Sequence, residues 1–358
     1  MINSVVLGTG SYLPEKIVRN EDFMNNEFFT PEGEKIDRDN KEIIKKLYEI
    51  SGINERRYVS KEQVSSDIAT MAARDAFESA SFDPEDLDYI IIAHNLGDAP
   101  AENPRMDILP PIASRVKAKL GIKNPYTVAY DVPFGCPGWV QGMIQANYYI
   151  KSGDAKSALI IGSETLSRIV DPHDRDGMLF SDGAGATLLG ARESNQQTGI
   201  LSHLTRSDAM EYVDLLTMGK SNKPGYKPDS TFIKMNGRKL YEYALTNVPP
   251  LVKKALDKSG VDVSDIKKVL IHQANEKMDE AIVKRLFRLY GIRNIPENMM
   301  PLTLDKLGNN SVATIPIMYD LILKGKIDNQ HIGPGDHIVF TSVGAGMNIN
   351  AIVYKTPE

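Results

Sequence analysis

The chain predicts an α/β fold made of two duplicated halves. The first observation is that short apolar strand candidates alternate with helical periodicities along the whole length. The second is a repeat: Asp75 to Ile92 lies over Lys254 to Ile271 without a gap, at an offset of 179 residues, half the chain. Ala76/Ala255, Asp83/Asp262 and Asp86/Asp265 are identical across it, and the apolar positions match throughout.

In chain order, the strand candidates of the first half are Ser4–Leu7, Tyr89–Ala93, Thr127–Val132, Ala158–Gly162 and Ala184–Leu189. Those of the second half are Gly199–Thr205, Lys268–His272, Met299–Leu304, His337–Ser342 and Asn348–Tyr354. Their near-continuous apolar character is that of strands buried on both faces. Helical spacing places helices at Ser65–Ala80, Pro111–Leu120, Trp139–Ile150, Leu240–Ser259, Met278–Tyr290 and Val312–Leu323. Asp171 to Gly183 and Met210 to Thr231, rich in charge, Pro and Gly, are expected as loops. The expected division is 1–190 and 191–358, two intimately packed halves.

Composition narrows the function. With 358 residues, 42% apolar and 25% charged, the chain has the make-up of an ordinary soluble protein with a sizeable core. A net charge of −5 gives no reason to expect nucleic acid or an anionic membrane as partner. One cysteine rules out an internal disulfide and a Cys-based zinc site. Neither a leader-like start nor an apolar run of about 20 residues is present, so a cytoplasmic location is expected.

That single cysteine sits in Pro133-Phe-Gly-Cys136-Pro-Gly-Trp139, between a strand candidate and a helix. Pro137 suits a first helical position. Cys136 would then meet the free N–H groups and positive dipole end of a helix, which favour a thiolate. An inert core cysteine is the competing reading, because free Cys is among the most buried residue types. In the second half, Leu307-Gly-Asn309-Asn310 makes a matching turn before a helix, at an offset of 173. A pseudo-two-fold would bring Cys136 and Asn309 to equivalent helix starts near the centre. His272 ends the repeated strand, where open α/β sheets place ligands.

Those three side chains suit one chemistry. Carbon–carbon bond formation from thioesters needs a nucleophile that accepts an acyl group and then leaves, as a thiolate does. It also needs neutral hydrogen-bond donors for the enolate formed when a malonyl group loses CO2, which His and Asn supply. The glycine-rich Ser342-Val-Gly-Ala-Gly346 lets the backbone approach a ligand closely.

The residues now resemble the ketoacyl-acyl-carrier-protein synthase III family of the thiolase superfamily. The likeness runs through Gly8-Thr-Gly-Ser-Tyr-Leu-Pro14, Ser51-Gly-Ile-Asn-Glu-Arg56, Gly135-Cys136, Lys151-Ser-Gly153, Asp171-Pro-His-Asp-Arg175, Asp182-Gly-Ala-Gly-Ala186, His272-Gln-Ala-Asn275, Gly308-Asn309 and Gly344-Ala-Gly346. The resemblance implies a thiolase-like αβαβα five-layer fold. It implies Cys136 as the acylated nucleophile, with His272 and Asn309 stabilising the decarboxylation enolate. The backbone N–H groups of Cys136 and Ala345 would hold the tetrahedral oxyanion. Arg175, Gly237 and Asn275 match positions that contact the pantetheine or nucleotide part of the acyl carrier. The implied substrates are acyl-CoA or acyl-ACP with malonyl-ACP, with no cofactor and no metal. The implied partners are acyl carrier protein and a second copy in a homodimer. A lid over the acyl tunnel is expected within Asn95 to Pro111, stiffened by Pro100, Pro104, Pro110 and Pro111.

Some positions depart from the family pattern. Coenzyme A-primed members carry Trp and Arg, clamping the adenine, where this chain has Lys46 and Ile50, and Glu27 to Lys41 is longer and more charged than usual. Ala345 replaces a Gly, and Met347 stands where an aromatic is common. These shift the expectation towards carrier-protein-bound primers or secondary metabolism. Lys277, Lys284 and Arg288 share a helix face and are the expected docking residues for an acidic carrier, against the alternative of a merely solvated face. His94 is expected as a satisfied structural histidine and Trp139 as core. The acids around Arg175 are expected as a charged loop rather than a metal cluster. The alternatives to a decarboxylating condensing enzyme are a non-decarboxylating acyltransferase, an acyl–acyl condensing relative, and a non-catalytic carrier-binding subunit.

Overall fold

Burial of the strands dictates the layering. Ser157–Thr165 is buried at every position and Tyr89–Ala93 at all but its first, so both faces of their sheet must be covered. The computed structural model describes residues 1–102, 106–227 and 230–358. The first sheet runs Ile2–Tyr12, Asp182–Glu193, Ser157–Thr165, Tyr89–Ala93, Val128–Val132 in spatial order. The second runs Gly199–Ser207, Asn348–Lys355, His337–Gly344, Ile266–Ile271. Taken in those directions, the pairings of both sheets are antiparallel, antiparallel, then parallel.

The helices Gly138–Ser152 and Thr314–Leu323 lie between the sheets. Trp139, Met143, Ile144, Met318 and Ile322 share one core with Ile160 of the first sheet and Phe340 of the second. Outside the first sheet, Ser65–Ala80 and Ile112–Leu120 cover the other face. Gly237–Ser259 and Glu276–Arg288 do the same for the second. The order of layers is αβαβα, with duplicated halves.

The repeat has a local cause in each half. Asp83 accepts the Glu85 N–H at 3.0 Å, capping the turn Pro84–Asp86. Asp262 accepts the Ser264 N–H at 2.8 Å and caps Val263–Asp265 in the same way. Ala76 and Ala255 are both fully buried, each under a sheet. At Ala76 the strand comes so near that a Cβ on Gly10 would lie 2.3 Å from its nitrogen.

Several elements differ from expectation. Met299–Leu304 forms no strand: only the Met299 carbonyl pairs, accepting the Val269 N–H at 2.8 Å. Asn298 is left-handed, with φ 58°, and Pro301 has no N–H, so the ladder cannot extend on either side. The chain passes between the sheets at 194–198, so the boundary expected at 190/191 falls inside the strand Asp182–Glu193. Helix Asn40–Ser51 was not expected; Asp39 caps it, and Gly52 ends it at φ 79°. Two ribbons join the expected elements, Lys16–Arg19 with Glu55–Tyr58 and Leu216–Gly219 with Phe232–Met235. Among the described residues no helix is long and apolar enough to cross a membrane.

Candidate active site

Cys136 stands between the strand Val128–Val132 and the helix Gly138–Ser152. Pro137 is the N-cap rather than the first helical residue, so Cys136 lies two residues before the first helical residue, Gly138. The second half presses on this turn. A Cβ on Gly344 would lie 2.7 Å from the Cys136 nitrogen, and one on Gly135 would lie 2.9 Å from the Ala345 nitrogen. Gly135 also takes φ 66°, so both its conformation and its contact call for glycine. Asn350 donates to the Pro137 carbonyl at 2.9 Å and holds the turn from the second sheet. The backbone around Cys136 and Ala345 is thus directly apposed.

Asn309 comes in from the other half. Its backbone bridges Phe180, with its N–H donating to Leu179 O and its carbonyl accepting from Ser181 N, both at 2.9 Å. Its Oδ1 accepts the Ser311 N–H at 2.8 Å, which fixes the amide orientation and leaves Nδ2 as the free donor. His272 follows the strand Ile266–Ile271 and is 3% exposed.

Ser311 ties the three together. Its hydroxyl donates to Cys136 Sγ at 3.3 Å and its N–H holds Asn309, while its backbone acts electrostatically on the His272 ring. It takes φ 50°, a left-handed conformation that costs a non-glycine residue about 1–2 kcal/mol. Both Cys136 and Ser311 precede helices of the central layer, whose N-terminal ends favour developing negative charge here.

The electrostatics correct one expectation. Burial pushes the Cys136 thiol up to about 11, and Glu164 adds to the rise once it has ionised; Ser311 and the backbone N–H pull down without cancelling it. The resting sulfur is a thiol, not the thiolate that the helix start alone suggests. Burial also holds His272 down to about 4, against a smaller pull from the Ser311 backbone, so the imidazole is neutral at pH 7. Its Nδ1 is buried and has no hydrogen-bond partner among the described residues.

Three neighbours of the nucleophile escaped the sequence reading: Ser311, Asn95 and Glu164. Asn95 Nδ2 donates to Ser311 Oγ at 2.9 Å and also to Glu164 Oε1. The available signal was a Glu inside the wholly buried strand Ser157–Thr165.

The remaining expected residues lie further out. Arg175 is exposed and its guanidinium reaches Asp176 at 3.8 Å. Gly237 opens the helix Gly237–Ser259. Asn275 caps the helix Glu276–Arg288 by accepting the Met278 N–H at 3.0 Å. Lys277, Lys284 and Arg288 are all exposed on that helix, Lys284 pairing with Glu280 at 2.7 Å. Lys46 and Ile50 lie exposed on the helix Asn40–Ser51. The segment before that helix packs on the Asp171–Arg175 loop, where Phe29 N–H donates to the His173 carbonyl at 2.9 Å. His94 is satisfied on both nitrogens, by Asp131 at 3.0 Å and by the Gly97 N–H at 2.9 Å. Trp139 is core, edge-on to Phe340. Asp171 is bound to Lys234 at 2.6 Å. Among the described residues no three His, Cys, Asp or Glu side chains gather as a metal site. Pro104, one of the expected lid prolines, lies outside the described residues.

A cysteine, a histidine and an asparagine at the seam of two duplicated halves, in five αβαβα layers, define a thiolase-type condensing enzyme. The family described as 3-oxoacyl-[acyl-carrier-protein] synthase III matches residues 130–209, and its C-terminal part matches 256–356. A β-ketoacyl-[acyl-carrier-protein] synthase III of Erythrobacter litoralis is 31% identical over 357 residues, spanning 99% of this chain and 100% of the relative. The crystal structure of 3-oxoacyl-[acyl-carrier-protein] synthase III from Aquifex aeolicus superposes with a TM-score of 0.80 at 30% identity, covering 99% of this chain and 100% of that one. The Pseudomonas aeruginosa enzyme does so with 0.80 at 27%, covering 99% of each. The chain belongs to the 3-oxoacyl-[acyl-carrier-protein] synthase III family.

Proposed function

We propose that Cys136 takes an acyl group from a carrier thioester and passes it to the carbon freed by decarboxylation of malonyl-ACP. The observation that carries this is Ser311, which contacts Cys136 Sγ through its hydroxyl and Asn309 through its N–H. The sulfur attacks the acyl carbonyl, the bond to the carrier sulfur breaks, and the carrier leaves as a thiol with the proton from Cys136. The N–H groups of Cys136 and Ala345 steady the oxyanion, which their close apposition supports. Malonyl-ACP then loses CO2. The resulting enolate oxygen is held by the neutral imidazole of His272 and by Asn309 Nδ2. The enolate carbon attacks the acyl-cysteine and the C–S bond to Cys136 breaks, giving a 3-oxoacyl product and a Cys136 thiolate that takes a proton from solvent. The sequence of steps balances without a cofactor.

The primer is assigned to carrier protein, since Lys46 and Ile50 present no aromatic clamp for an adenine. Arg175, Gly237 and Asn275 are assigned to the pantetheine path, and exposed Lys277, Lys284 and Arg288 to docking of the acidic carrier. The protein is assigned to the cytoplasm. A homodimer is favoured by the free edge strand Val128–Val132, with Val128 and the neighbouring Tyr126 exposed. The test is product formation from acyl-ACP and malonyl-ACP with CO2 release. The reading expects both in equal amounts from the wild type. CO2 release with no 3-oxoacyl product, at every chain length supplied, would contradict it.

A further inference from the structure

The sulfur of Cys136 ends a line of hydrogen bonds that begins deep in the first half. Asn95 has two amide hydrogens. One goes to Glu164 Oε1, and the other to Ser311 Oγ at 2.9 Å. With its oxygen accepting from Asn95, Ser311 has one hydrogen left, and it points to Cys136 Sγ at 3.3 Å. The line therefore has a direction. Asn95 donates at both ends, Glu164 fixes its flip, and Ser311 is placed to donate to sulfur.

The participants come from separate segments. Asn95 follows the strand Tyr89–Ala93, Glu164 lies in Ser157–Thr165, and Ser311 belongs to the turn before Thr314–Leu323. Glu164 is 1% exposed, and among the described residues its Oε2 has no partner. A carboxyl is costly at such a place, and packing alone gives no reason for one. We propose that Glu164 and Asn95 are positioning residues that, through Ser311, set the ionisation of the Cys136 thiol. This rests on the acyl-transfer reading above.

Ser311 stabilises the thiolate by donating to it. Asn95 keeps that hydroxyl from turning its hydrogen elsewhere. Glu164 has to accept from Asn95 without placing a charge opposite the thiolate. Burial holds its carboxyl up to about 8, so at neutral pH it is an uncharged acceptor. The titratable groups facing it are Asp182 on the adjacent strand, which raises it further, and Cys136 itself. His272 is neutral and leaves that balance alone.

The test uses alkylation of the full-length protein by iodoacetamide from pH 7 to 12, read by intact mass. Cys136 is the only cysteine, so one adduct reports one thiol. Ser311→Ala is expected to raise the midpoint by about one unit, slowing alkylation at pH 7.5 about tenfold. Asn95→Leu should move it the same way. Glu164→Gln keeps an acceptor and cannot ionise, so its midpoint should fall below the wild type. Retained near-ultraviolet circular dichroism qualifies each variant as folded; if Asn95→Leu fails it, the opposed shifts of the other two decide. Coincident midpoints in Ser311→Ala, Glu164→Gln and wild type would overturn the relay, while leaving acyl transfer standing if the wild type still takes an acyl group. A wild type that alkylates but accepts no acyl group would sink both.

Discussion

Gly135 and Ala345, one from each half of the duplication, meet so closely that a Cβ on Gly135 would lie 2.9 Å from the Ala345 nitrogen. This contact brings together the two turns that carry the backbone N–H groups assigned to the oxyanion. Gly135→Ala meets that contact and a φ of 66° at once. The expected cost is about 2–4 kcal/mol, read from urea unfolding. Acylation of Cys136 should fall with it even at low temperature, where the variant stays folded.

His272 and Asn309 act on the second half-reaction only. His272→Ala and Asn309→Ala should each leave acyl transfer to Cys136 within a few-fold of wild type. Each should slow decarboxylation and condensation by about 10²–10³. Single-turnover acylation and CO2 release, measured on the same preparations, separate the steps.

Two buried groups near the nucleophile couple stability to pH with opposite signs. His272 is lowered from 6.5 to about 4. Between those values the unfolded chain binds the proton and the folded one does not, so its contribution is lost as pH falls from 6.5 towards 4. Glu164 is raised from 4.5 to about 8, so the folded state holds a proton that the unfolded chain has released, and stability falls as pH rises from 4.5 towards 8. Glu164→Gln removes the second effect. Its unfolding midpoint in urea should lose less between pH 5 and pH 8 than wild type does, a difference on the order of 2–4 kcal/mol.

Reversing Lys277, Lys284 and Arg288 to Glu together should raise KM for an acyl-carrier substrate about tenfold at low salt, with the gap closing as salt is added. The same acyl group on a pantetheine thioester lacks the carrier's acidic surface, and its KM should not move. Steady-state kinetics with both donors check this.

The duplication could be read from the sequence because its signals are local. Asp83 and Asp262 cap equivalent turns, and Ala76 and Ala255 are both fully buried. Cys136 and Asn309 were legible from strand–turn–helix segments at an offset of 173, and His272 from its place at the end of the repeated strand. Helix Asn40–Ser51 was hidden by its charge, since only Ile43, Ile44 and Leu47 form its apolar side. Asp39 and Gly52 were the signals available for it. Ser311, Asn95 and Glu164 were out of reach for a different reason. They are common residue types, far apart in the chain, and their meaning lies in a hydrogen-bond line that only the packed halves create. The thiol's state was likewise invisible, because burial, which outweighs the helix start, is a tertiary property.

Intact mass spectrometry of wild type and Cys136→Ala, after incubation with acyl-carrier protein and with the matching acyl-CoA, tests the central claim most directly. The account predicts one acyl adduct on the wild type, formed faster from the carrier protein, and none on the variant. An adduct that persists in Cys136→Ala, or a wild type unmodified by every donor, would contradict it.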